Sequence, residues 1–293
     1  MYRYKITLLV LPFLLLLAVN TSAQSTDEFN LDKVYTMDKA GTISLSSDDA
    51  DVTIKGSDRD DVRVVVHYQL SVKGLSIGKN EEFEMIVEER NGNLKIYEKE
   101  REFGNKVVFG STDEDYRITI EAPRGVSLDL AGDDEDYRIS SIDGSISVDA
   151  DDSAIELNDC NGDEFNFKLD YGDLNMDSGK GSLRLNIDDG DVRILNGDFS
   201  NIEVDTDDSE LDITTRLADD GDYIFDLDDG DLRLNIAGGG GEFEIRHDNA
   251  DISASSEFEQ TIDDDDRSQF SLPGGNATIS ISTDDGDIIL RVI

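Results

Sequence analysis

The sequence predicts an all-β protein, a parallel β-solenoid with about 18–21 residues per coil, and three observations lead there. Apolar and polar residues alternate with period two through most of residues 24–293, a short acidic unit recurs about every 20 residues, and no stretch of that region has helical spacing.

The N-terminus is set apart from this pattern. Arg3 and Lys5 precede an apolar run from Ile6 to Val19, and Asn20-Thr21-Ser22-Ala23 supplies small residues for signal-peptidase cleavage after Ala23. Residues 1–23 are therefore expected to be a signal peptide, and residues 24–293 an exported chain in the periplasm, on the cell surface or outside the cell. The run is shorter than the roughly 20 residues that span a bilayer. No Cys follows it for lipid attachment and no second long apolar segment occurs, so no membrane span is expected after cleavage.

Acidic residues number 68 against 26 basic ones, a formal net charge of −42. Such a surface repels nucleic acid and anionic membranes, which removes both as expected partners, and it suits cations or saline surroundings. Acid-rich chains poor in apolar residues stay disordered. Here the acids alternate in register with Val, Ile, Leu and Phe, which argues for an ordered chain. Cys160 is the only cysteine, so there is no internal disulfide framework, and it reads as a small turn or core residue.

Residues 24–131 form a less regular β region. Gly41 to Ile54 and Asp61 to Leu70 read as strands, and Phe83–Val87 and Leu94–Tyr97 read as a hairpin through Arg90-Asn91-Gly92-Asn93. This region is expected to cap the solenoid and cover its open edge. From residue 132 to 293 the repeat is clear. Its copies are DDSAIEL (151–157), DYGDLNM (170–176), DDGDVRI (188–194), DDSELDI (207–213), DDGDLRL (228–234), DNADISA (248–254) and DDGDIIL (284–290). An earlier copy, DDADVTI, lies at 48–54, and a looser one, GDDEDYRI, at 132–139. The stretch 255–278, with Asp263 to Asp266 and Pro273-Gly274-Gly275, reads as a loop inserted before the last coil.

Each unit carries an alternating strand, an acidic turn and a second, shorter strand. An antiparallel meander and a stack of coils both accommodate this grammar. An open meander of over a dozen strands rarely stays flat without splitting. A coil stack instead places like residues about 4.8 Å apart, so that apolar positions form internal ladders and each unit buries its core against its neighbours.

The chain resembles a bacterial β-strand-repeat adhesin family, a domain of unknown function. The residues that carry the resemblance are GTISLSSDDADVTIKGSDRDDVRVVV (41–66), EAPRGVSLDLAG (121–132), the tandem DDGDVRI-type units and ATISISTDDGDIILRV (277–292). The resemblance implies an exported β-solenoid and supplies no catalytic residue. This chain departs from the family pattern in carrying Asp-Asp where Ser or Thr commonly precedes Gly-Asp.

The stacked acidic turns are the candidate site. Turn chemistry explains one carboxylate per turn, because Asp bonds its own backbone and Gly allows positive φ. It explains three less well. Two carboxylates 4.8 Å apart repel by about 0.9 kcal/mol even in water. Salt screening, raised pKa values, splayed side chains or a bound cation would offset this repulsion. Calcium, which takes six to eight oxygens, is the candidate cofactor. The residues named for it are Asp188, Asp189, Asp191, Asp228, Asp229, Asp231, Asp284, Asp285 and Asp287. A solvated acidic face is the alternative.

Enzymatic chemistry finds little support. Trp is absent, His67 and His247 sit in strands, and no phosphate loop, nucleophile elbow or zinc-ligand cluster occurs. The expected function is a non-catalytic, adhesin-like or structural envelope protein with a surface, glycan or protein ligand. A calcium-binding solenoid is the first alternative and a carbohydrate-active β-helix the second.

Overall fold

The computed structural model describes residues 25–77, 82–99 and 107–293. The expected signal peptide, residues 1–23, lies outside the described residues. Every regular element among them is a strand, and all strands join one hydrogen-bonded sheet. No helix among them is long and apolar enough to cross a membrane.

The N-terminal region contains β1 (Ser25–Tyr35), β2 (Thr42–Ser46), β3 (Asp51–Ser57), β4 (Val62–Ile77), β5 (Met85–Arg90), β6 (Asn93–Glu98) and β7 (Val107–Pro123). There follow β8 (Ser127–Gly132), β9 (Asp136–Ser140), β10 (Ile146–Asp152), β11 (Ala154–Asn158), β12 (Glu164–Tyr171) and the 43-residue ribbon β13 (Leu174–Arg216). The C-terminal part holds β14 (Asp222–Leu227), β15 (Asp231–Gly238), β16 (Gly241–His247), β17 (Asp251–Ala254), β18 (Glu259–Asp264), β19 (Arg267–Leu272), β20 (Ala277–Thr283) and β21 (Asp287–Val292).

Successive repeat units pair in parallel. On one side β2, β8, β10, β12 and the 182–189 part of β13 run alongside one another in constant register, as Ile43↔Leu128, Leu128↔Ile146, Ile146↔Phe165 and Phe165↔Leu183. On the other side β7, β3, β9, β11 and the start of β13 do the same, as Ile118↔Val52, Val52↔Tyr137, Tyr137↔Ile155 and Ile155↔Leu174. The inward residues of these ladders are buried, from Ile43 at 0% exposure through Phe165 and Phe167 at 0% to Leu290 at 0%. Period-two sequence produces this directly, because alternate side chains point to one face and stacking brings like positions into contact.

The parallel stack extends into the N-terminal region, where β2 and β3 lie between β8/β9 and β6/β7. The expected hairpin is present as β5 and β6. Asn91 (φ 52°) and Gly92 (φ 79°) take the two left-handed positions of its turn. The antiparallel trio β1, β4 and β7 continues the other side, and Tyr68, Phe83 and Tyr116 pack together beneath it.

Two expectations need correction at the C-terminal end. The stretch 255–278, expected as a loop, carries the antiparallel hairpin β18–β19, and β19 pairs antiparallel with β16. Stacking also does not follow chain order there. The last unit, β20 and β21, does not sit beyond β16 and β17. Instead β20 pairs with β14 on one edge and β16 on the other, and β21 pairs with β15 and β17. The physical reason is edge availability: β19 occupies the far edge of β16, which leaves the returning chain only the near one. The four glycines Gly238–Gly241 let the chain step across the level that the last unit fills. A Cβ on Gly241 would lie 2.1 Å from the carbonyl oxygen of Ala277.

At Gly190 the glycine of the Asp-Asp-Gly-Asp turn is explained by close approach and not by φ, which lies outside the left-handed region. Gly190 lies over Gly172, and a Cβ there would lie 1.9 Å from the Gly172 carbonyl oxygen, a backbone atom held by the stack. We expect Gly190→Ala to destabilise the protein by about 1–3 kcal/mol, the usual range for overpacking a closed site, as read by denaturant unfolding. An unchanged midpoint would show that the turns can separate freely.

Candidate functional site

The acidic turns line one corner of the stack. Asp207 lies between Asp188 and Asp228, and its carboxyl is held above the usual carboxylate range, first by desolvation and then by repulsion from Asp188, Asp228 and Asp205. Asp228 accepts backbone N–H bonds from Asp284 and Asp285 at its carbonyl oxygen, both at 3.1 Å. Asp231 and Asp287 are neighbours in a second column, where the Asp287 backbone N–H donates to Asp231 Oδ1 at 2.8 Å. The same bond recurs lower down, from the Asp191 N–H to Asp173 Oδ1 at 3.1 Å. The carboxylates of Asp231 and Asp173 therefore satisfy backbone donors of a neighbouring level.

Of the nine aspartates named for calcium, the fold brings Asp228, Asp229 and Asp231 onto the level beside Asp284, Asp285 and Asp287. Asp188, Asp189 and Asp191 lie further along, separated from them by the Asp207-Asp208-Ser209-Glu210 turn. Among the described residues, no three His, Cys, Asp or Glu side chains converge into a group that could hold a metal ion.

Outside the turns, basic side chains bridge neighbouring levels. Arg138 reaches Asp51 at 3.3 Å and Asp136 at 3.2 Å, and Arg184 reaches Glu203 at 2.6 Å. Arg124 forks onto Asp143 at 2.8 and 3.0 Å and contacts Asp159 at 3.2 Å. These pairs hold the Asp159 carboxyl below the ordinary carboxylate range, chiefly through the Arg124 bond. With 26 basic residues for 68 acids, basic side chains are too few to offset the repulsion among all the carboxylates.

We expect the melting temperature to rise with added NaCl, because screening weakens repulsion between exposed like charges. Calcium chloride at matched ionic strength separates the two readings of the columns. Equal effects indicate screening alone, and a saturable additional rise indicates ion binding.

A concavity of about 560 Å³ opens where the N-terminal strands meet the stack. Asp49, Asp51, Asp134, Asp136, Glu114 and Asp115 line it, with Tyr116 and Ala50. A second, of about 360 Å³, lies beside it, where Ala154 interrupts the column between Asp136 and Asp173. Arg138, Glu156 and Asn175 complete its wall.

Sequence reading missed one residue. Glu135 occupies the turn position that is Gly190, Ser209 or Gly230 elsewhere, yet it is only 1% exposed. Its side chain folds inward over Gly132, where a Cβ would lie 1.7 Å from Glu135 Oε2. Ser47 Oγ donates to Oε1 at 2.9 Å, and Oε2 is buried without a partner. Desolvation, reinforced by Asp48, Asp133 and Glu98, pushes its pKa up to about 8. The available signal was a pair: Gly132 stands where the next levels carry Ala150, Leu169 and Ile187, and an oversized acid lies three residues later.

The two histidines serve structure. His67 Nδ1 bonds Asn30 Oδ1 at 2.8 Å, and His247 Nε2 lies 3.4 Å from Ser268 Oγ. Cys160 is buried at 0% exposure, and burial raises its thiol pKa.

Residues 41–291, which include these stacked strands and acidic turns, match the Toastrack DUF4097 family model. The chain belongs to the Toastrack family. No curated protein matches it in sequence. Solved structures that align along this Toastrack chain include a candidate cell adhesion protein from Clostridium sporogenes. It is 10% identical, with 90% of this chain and 100% of that one covered and a TM-score of 0.32. A candidate lipid binding protein from Parabacteroides distasonis aligns at 15% identity, over 92% and 97% of the two chains, with a TM-score of 0.25. A candidate adhesin from Bacteroides fragilis aligns at 13% identity, over 92% and 97%, with a TM-score of 0.24.

Proposed function

We propose that this Toastrack chain is an exported β-solenoid that acts as a non-catalytic, adhesin-like interaction module of the cell envelope. Its core supports this reading most directly. Inward positions are buried at level after level, so the chain is a rigid scaffold whose distinguishing chemistry lies on its outward ladders. Those ladders present Ser, Asn, Asp, Glu and Arg side chains at the strand spacing of about 4.8 Å, a regular polar surface suited to an extended ligand. The acidic balance favours a partner that is neutral or cationic over a nucleic acid. Export rests on the N-terminal charge and apolar pattern, with residues 1–23 as signal peptide and residues 24–131 as the capping region.

Retention of the purified chain on whole cells and on a glycan array tests the proposal. Saturable binding that neutral substitution of outward residues such as Arg193 (Arg193→Gln) weakens, without change in melting temperature, is the expected result. Turnover of a polysaccharide panel, abolished by a single carboxylate substitution, would overturn it.

A further inference from the structure

We propose that the C-terminal unit, residues 277–292, is an exchangeable strap that leaves its slot and seats in the same slot of a second copy of this chain. The strap follows all four strands of its slot in sequence, yet it lies between them in the fold. Its β20 lies between β14 and β16, and its β21 lies between β15 and β17. None of these pairings is a hairpin contact with an adjacent chain segment. The strap joins the strands that form its slot through the hinge Pro273-Gly274-Gly275-Asn276, in which Gly274 holds φ +123°. A second copy can therefore offer the same strap to the same slot with every ladder contact preserved, and such exchange is a low-cost route to a dimer.

The slot is shaped for this occupant. Gly240 and Gly241 leave room where side chains would meet the backbone of Leu272, Pro273 and Ala277, and the Ala277 N–H donates to the Gly240 carbonyl at 3.2 Å. Ile279, Ile281, Ile288 and Leu290 are buried between its walls, so an emptied slot exposes apolar ladders on both sides and favours refilling. Net charge opposes the approach of two copies at low ionic strength, so exchange is favoured by high protein concentration and by salt.

The test uses the full chain with Cys160→Ser in every copy. Asp226 and Ser282 are register partners across the β14–β20 edge and both project outward. Copies bearing Asp226→Cys are mixed with copies bearing Ser282→Cys at high concentration in 0.5 M NaCl, with and without joint refolding, and treated with a short bis-maleimide. Linkage between unlike copies, with none in mixtures of Asp226→Cys alone, is the expected result. Deletion of Gly274 and Gly275 is expected to shift the population further towards dimer, as read by light scattering. The proposal is overturned by monomeric mass under all these conditions, or by equal linkage of like copies, which would indicate face-to-face association.

Discussion

Glu135→Gln is expected to be more stable than the parent at pH 9 and equal to it at pH 4. In the folded chain the Glu135 carboxyl titrates at about 8, against an ordinary value of 4.5, because it is desolvated and faces Asp48, Asp133 and Glu98. Below pH 4.5 the group is neutral in folded and unfolded chains, and burial carries no ionisation penalty. Between 4.5 and 8 the unfolded chain releases the proton while the folded chain keeps it. Stability therefore falls by about 1.4 kcal/mol per pH unit, on the order of 5 kcal/mol in all, and levels off above 8. The amide cannot ionise and still offers an oxygen to Ser47, so the variant loses this slope. Asp32 and Asp159, whose pKa values are lowered by Arg63 and Arg124, contribute stability that is lost on acidification. They are common to both proteins and cancel in the difference. Urea unfolding at pH 4, 6 and 9 reads the result, and parallel pH curves for parent and variant would sink it.

Deletion of residues 277–293 is expected to unfold far more than one terminal repeat. In a linear stack the last unit contacts only its predecessor, and its removal leaves the remainder intact. Here the last unit is interior. Burial of Ile279, Ile281, Ile288 and Leu290 at about 1.5–3 kcal/mol each amounts to roughly 6–12 kcal/mol. The deletion also bares Tyr223 and Phe225 on one wall and Phe243 and Ile245 on the other. Hydrogen exchange should show lost protection across 222–254, while 127–177 stays protected. Full protection of 222–254 in the truncated chain would contradict the interleaved order.

Much of the architecture was legible in sequence because period two and a recurrence near 20 residues both follow from local geometry. The inward residues Phe165, Phe167 and Phe225, the Asn91-Gly92 turn and the columns joining Asp188, Asp207 and Asp228 could all be read without coordinates. The candidate site was legible only as columns. Which aspartates stand on adjacent levels depended on the order of stacking, and the gap from Asp248 to Asp284 concealed that order.

By itself, then, the sequence determined which side chains face inward, since alternation along a strand is a property of the chain. Tertiary structure alone decided which level lies beside which, because pairing obeys edge availability in space. The hairpin β18–β19 closes one edge of β16, and the last strand pair takes the other. It alone also turned Glu135 inward, since the vacancy that receives this carboxyl is made by the missing side chain of Gly132 and bounded by Ser47 from a unit 88 residues away.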